Sequence, residues 1–128
     1  MNKWKDKLLQ AAYQEQFLLK ANTPENLKRY FIREFIEPLQ DDLLNINKDF
    51  YLIENKGEEI YVKLVNQELL ITVSEQTVDF NKLTPEKDSW NEILNVTFEN
   101  SVPKVKKQNS HYPLKKSDLE MVMDKLFI

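Results

Sequence analysis

The sequence predicts an α+β fold in which helices cover one face of an antiparallel sheet. Apolar residues recur at helical spacing before Asn47, alternate with polar residues between Phe50 and Phe98, and return to helical spacing after Ser117. We therefore expect an N-terminal helical hairpin, an antiparallel meander of four to six strands, and a C-terminal helix packed on one sheet face. With 128 residues and no cysteine, the chain is expected to be a single α+β domain over residues 1–128.

The first expected helix runs from Asn2 to Lys20. Its apolar residues fall along one broad stripe and predict packing against the core: Trp4, Leu8, Ala11, Ala12, Leu18 and Leu19. Glu15 interrupts the stripe. Two interpretations stay open: the carboxylate points outward or pairs with a lysine, or it is buried, with a raised pKa that would make it a candidate acid. The outward interpretation is favoured.

A second helix is expected from Pro24 to about Asn47, with Thr23 as its N-cap. Pro38 lies inside this segment and lacks the N–H that would bond back to Glu34, so a kink is predicted there. The first two helices are expected to form an antiparallel hairpin.

The strand region follows, with a hairpin turn at Gly57. Alternation predicts which residues face inward: Ile60, Val62, Leu64, Leu69, Ile71, Val73, Val78, Phe80, Leu94, Val96 and Phe98. Residues 84–88 are expected to form a loop or a helix start. If Trp90 and Ile93 share a helical turn, the next strand begins at Leu94.

Three features are expected near the end of the chain. Pro103 should interrupt the sheet, and Lys104–Tyr112 is either an edge strand or an ordered loop. Ser117 and Glu120 predict a capping box at the start of the last helix.

Composition argues against most catalytic sites. One histidine and no cysteine exclude thiolate and multi-histidine zinc sites within the chain, and one glycine excludes a phosphate-binding glycine-rich loop. We therefore expect no catalytic site, no metal and no cofactor. The sequence has no apolar run that could cross a bilayer and no signal peptide, so we expect a cytoplasmic protein without membrane contact. Abundant lysine and asparagine favour a bacterial or phage origin.

Two charged segments are candidate partner-binding surfaces. Lys104, Lys106, Lys107, His111 and Tyr112 belong to a stretch from Ser101 to Lys116 that contains no acidic residue. Lysines with an interleaved aromatic residue can contact phosphates and stack on bases, although a solvated edge is the favoured interpretation.

The second charged surface is an acidic helix face that carries Glu34, Glu37 and Asp41. It suits a basic partner, although an ordinary solvent-exposed face of an amphipathic helix is the favoured interpretation. The outer sheet face, with Tyr61, Thr72 and Thr97, is a third candidate surface.

The favoured function is a small non-catalytic binding protein that acts through protein–protein contact, such as an inhibitor, immunity or accessory factor. A homo-oligomer is compatible with the sequence. The alternative is nucleic-acid binding through residues 104–116, and the third hypothesis is a carboxylate-based enzyme that includes Glu15.

Overall fold

A computed structural model describes residues 2–84 and 89–127 of the chain. The α-helices are α1 (Lys3–Lys20), α2 (Pro24–Phe31), α3 (Gln40–Ile46) and α4 (Lys116–Leu126). Between α2 and α3 the chain forms a π-helix over Ile32–Ile36 and a 3-10 turn over Glu37–Leu39, and a further 3-10 turn spans Lys48–Phe50.

The described strands form one antiparallel meander in which each strand pairs with the next along the chain. The strands are β1 (Tyr51–Asn55), β2 (Glu59–Leu64), β3 (Gln67–Val73), β4 (Thr77–Thr84), β5 (Ser89–Glu99), β6 (Val102–Lys107) and β7 (Ser110–Pro113). The α+β architecture is therefore confirmed, with β1 and β7 at the open edges. Residues 85–88, most of the predicted loop or helix start, lie outside the described residues.

The sheet has seven strands rather than four to six because residues 102–113 fold into a hairpin instead of one edge strand or a loop. Gln108 and Asn109 make its turn with φ of 53° and 70°, a conformation that asparagine tolerates better than most residues. Pro103 does not interrupt the sheet, since it is buried in β6 opposite Phe98. Trp90 lies within β5 rather than in a helical turn.

The inner face of the sheet is the core, and all eleven residues predicted to point inward are buried. Helices α2 and α4 pack on this face. The Phe31 ring of α2 meets the Phe80 ring of β4 edge to face, with centroids 4.9 Å apart. The side of α4 that faces the sheet is buried and carries Leu119, Val122 and Leu126. The predicted packing of a C-terminal helix on one sheet face is confirmed.

The predicted second helix is interrupted next to Pro38, as expected from its missing N–H. The backbone widens into the π-helix immediately before it and tightens into the 3-10 turn that contains it. The last helix begins one residue before Ser117, and the predicted capping box does not form there. The carboxylate of Asp118 accepts the Lys115 backbone N–H at 2.9 Å instead.

Helix α1 departs most from the expectation. Every residue from Asn2 to Tyr13 is exposed, and of the six residues of the predicted apolar stripe only Leu18 packs against the core. The helix is held near its end, where the Phe17 and Tyr30 rings lie 5.2 Å apart and Gln14 Nε2 donates to the Leu114 carbonyl at 2.7 Å. In the predicted helical hairpin, α1 and α2 therefore pack together only near the turn that connects them.

We predict that Phe80→Ala lowers the free energy of unfolding by about 3–5 kcal/mol, because it removes a fully buried ring and leaves a cavity. Urea denaturation measures the loss. Phe127→Ala is the matched control, since that ring is 51% exposed and its removal should cost far less. Equal losses for the two variants would contradict the core assignment.

Candidate functional site

The solvent-facing side of α1 carries six residues that we call the N-terminal stripe: Trp4, Leu8, Ala11, Ala12, Glu15 and Leu19. All six are exposed. Trp4, Leu8 and Leu19 keep 67%, 61% and 68% of their surface accessible. Isolated exposed apolar residues are ordinary, but a group of them on one side of a helix indicates an interaction surface.

The stripe turns outward because a different side of α1 reaches the core. Phe17 is buried, and Gln14 and Leu18 are half-buried on the same side of the helix. At 100° per residue, the direction shared by these three side chains differs by about 120° from the middle of the stripe. One side of α1 is therefore anchored, while the stripe has no partner among the described residues.

Helix α1 has the local sequence of a stable helix. It lacks glycine, proline and β-branched residues and is rich in leucine, alanine, glutamine and lysine, all strong helix formers. A helix that projects without tertiary contacts is nevertheless marginal in water, because most helical stability in proteins comes from packing. Contact with a partner would supply the packing that the first half of α1 lacks.

Glu15 lies on the stripe and is exposed. The interpretation as a buried acid is therefore wrong, and the outward interpretation is confirmed. No hydrogen bond or ion pair to the Glu15 carboxylate occurs among the described residues.

The predicted acidic face is not one regular helix surface. Glu34 lies in the π-helix, Glu37 in the 3-10 turn and Asp41 in α3, and these helix types have different angles per residue. All three carboxylates are exposed. Arg33 Nε lies 3.6 Å from Glu34 Oε1, so part of the acidic charge is compensated within the chain.

A groove of about 380 Å³ lies between α2, the π-helix and the β1–β2 edge of the sheet, and the sequence did not predict it. Its walls include Arg29 and Arg33, the only arginines in the chain. The four-residue spacing of the two arginines was the sequence feature that pointed to a shared surface, because residues four apart lie on one face of a helix. Glu25 partly neutralises the groove, because its carboxylate meets Lys28 at 2.6 Å and Arg29 at 3.4 Å.

The basic segment is divided between the two faces of the sheet, because side chains alternate along its two strands. Lys104 and Lys106 alternate with the buried Val105 on β6, so they lie on the outer sheet face, where Lys106 pairs with His111. Lys107 and Tyr112 occupy the opposite face, where both line a cleft of about 760 Å³ beside Lys115. The five predicted residues therefore do not form one continuous basic surface.

Two of the three predicted lysines have acidic partners within the chain. Lys107 Nζ lies 3.0 Å from a carboxylate oxygen of the buried Asp118, and Lys104 Nζ lies 3.2 Å from Glu99. Neither charge is entirely free for a phosphate. These pairs fit the solvated-edge interpretation better than a nucleic-acid surface.

The outer sheet face carries a small aromatic cluster. The Tyr61 and Trp90 rings meet edge to face with centroids 6.4 Å apart, and the Tyr61 hydroxyl donates to a Glu68 carboxylate oxygen across the β2–β3 pair. Burial, the hydrogen bond to Glu68 and the negative charge of that carboxylate together raise the pKa of Tyr61 to about 12. The cluster is internally satisfied, so it is a weaker docking candidate than the N-terminal stripe.

Among the described residues, no group of three or more histidine, aspartate or glutamate side chains is placed to hold a metal ion. In the same part of the chain, no helix combines the length and the apolarity needed to cross a membrane.

We predict that Asp118→Ala lowers the free energy of unfolding by about 1–3 kcal/mol, because it removes both the α4 cap and the partner of Lys107. Urea denaturation is again the measurement. Asp124→Ala, which changes an exposed acid of the same helix, should leave the unfolding midpoint nearly unchanged. A smaller loss for Asp118→Ala than for this control would contradict the assigned role.

We predict that Tyr61 ionises with a midpoint of about 12. Its folded-state pKa is raised, so its stabilising contribution is complete below about pH 10, the unfolded value, and is lost as the pH rises through about 12. The difference between phenolate absorbance titrations of the native chain and Tyr61→Phe isolates this group. A difference midpoint near that of free tyrosine would show that the contact with Glu68 does not hold in solution.

The sequence matches no protein-family model, and no curated protein or solved structure is significantly similar to it. The function must therefore be inferred from the surfaces of the chain itself.

Proposed function

We propose that this chain is a non-catalytic binding protein that acts through protein–protein contact, and that the N-terminal stripe is its contact surface. The observation that carries the proposal is the exposure of Trp4, Leu8 and Leu19 on one side of a helix that is anchored to the core by an adjacent side. A helix that presents residues at this spacing is a common way to engage a protein surface.

The charges beside the stripe indicate the chemistry of the partner. Lys3, Lys5 and Lys7 accompany its first half, where Asp6 is the one acidic residue. A complementary surface would therefore combine an apolar seam with acidic side chains next to it. An inhibitor, immunity or accessory factor of bacterial or phage origin, active in the cytoplasm, would use such a contact.

Affinity capture from a lysate of the native host tests the proposal. We expect Trp4→Glu with Leu8→Glu to reduce the captured partner by at least about tenfold, because charges would replace apolar contacts. Both side chains are exposed, so the urea midpoint of this variant should stay close to that of the native chain.

Two sets of substitutions separate the alternatives. The first changes Lys104, Lys106 and Lys107 to glutamine, and the second reverses the charges of Glu34, Glu37 and Asp41. Capture that is abolished by nuclease and by the lysine substitutions would replace the proposal with nucleic-acid binding. Capture that is abolished only by the charge reversals, or that is unaffected by the α1 substitutions, would also contradict it.

A further inference from the structure

The N-terminal stripe is symmetric along the helix. Its members are separated by four, three, one, three and four positions, and the midpoint falls between the two alanines. If two copies of α1 are placed side by side in opposite directions, Trp4 faces Leu19 of the other copy, Leu8 faces Glu15, and the alanines face each other. A two-fold axis through the alanines generates this match, as in isologous dimers.

We infer that the partner of the stripe is a second copy of this chain and that two α1 helices pair in antiparallel orientation. This inference rests on the proposed function, because it names the protein that the stripe contacts. The small alanines at the axis allow the helices to approach closely, near the lower end of the usual interaxial range of about 8–10 Å.

Charge explains why the helices pair in opposite directions. Glu15 has no ion pair within the described chain, and the same holds for Lys5 and Lys7. In the antiparallel arrangement, Glu15 of one copy lies next to Leu8 of the other, with Lys5 and Lys7 on the two flanks of that position. A parallel arrangement would place Glu15 against Glu15, which like-charge repulsion disfavours.

The pairing also supports the exposed half of each helix. Residues 2–13 project without burial, whereas Phe17 and Ala21 hold the other end to the body. In the antiparallel pair, the projecting half of each α1 lies along the anchored half of the other. Each helix thus supplies the tertiary packing without which a projecting helix is marginal.

The interface is small. Covering the stripe on both copies removes on the order of 1,000 Å² of surface from water, near the lower limit for a specific protein interface. The dimer is therefore expected to be reversible and to depend on concentration.

Analytical ultracentrifugation of the full chain from about 1 µM to about 500 µM tests the inference, a range that brackets weak association. The mass should rise from 15.3 kDa toward twice that value, and Trp4→Glu with Leu8→Glu should stay monomeric. A native chain that is monomeric throughout would overturn the inference, and so would a dimer that persists in this variant.

A charge swap tests the orientation. Glu15→Lys alone, and Lys5→Glu with Lys7→Glu alone, should each weaken self-association by on the order of tenfold. A mixture of these two variants should recover association, because each lysine at position 15 then meets the glutamates of the other copy. Glu120→Lys, an exposed change on α4, is the matched control and should leave the dimer intact. A mixture that associates no better than its components would overturn the antiparallel pairing.

The capture experiment separates failure of this inference from failure of the proposed function. A monomeric chain that captures a different protein in an α1-dependent manner would overturn the second copy as the partner and leave the proposed function standing. A monomeric chain without α1-dependent capture would overturn both.

Discussion

The structure depends on the burial of one face of a sheet whose strands alternate apolar and polar residues. The apolar inner face has to be shielded from water by helices. The edge-to-face contact between Phe31 of α2 and Phe80 of β4 lies where helix and sheet meet. Seven strands about 4.8 Å apart span roughly 30 Å, which three helices about 10 Å wide can cover. Helices α2 and α4 pack on the sheet, and α3 contacts β1 at its edge. This packing leaves α1 attached at one end, with its most apolar side free.

The same alternation determines what the hairpin of β6 and β7 can do. A strand that buries Val105 must send Lys104 and Lys106 to one face and Lys107 to the other. Lys107 then meets Asp118, which is buried at the start of α4. A segment that contains no acidic residue thus becomes part of the attachment of the last helix, and two of its lysines, Lys104 and Lys107, are paired with acids of the same chain.

The helix interruption beside Pro38 affects the surface next to β1, at the edge of the sheet opposite β7. The proline leaves the Glu34 carbonyl without its usual donor, and the chain accommodates this with a wide turn followed by a tight one. This change of winding disperses the acidic residues that a regular helix would align. Arg29 and Arg33 nevertheless share one groove, because they are four residues apart. No residue of α1 lines the groove.

The sequence by itself determined the features that follow from short-range geometry. The alternation of apolar and polar residues in the strands correctly predicted which residues point inward. The turn with a positive φ at Gly57 was also correctly predicted, and Pro38 marked the interruption between α2 and α3. The tertiary structure decided which apolar surfaces face each other. Periodicity showed that α1 has an apolar stripe, but only Leu18 at the margin of that stripe packs against the core, together with the neighbouring Phe17. Helical periodicity is a local property, whereas the burial of a given face depends on competition among all helices for one limited sheet surface.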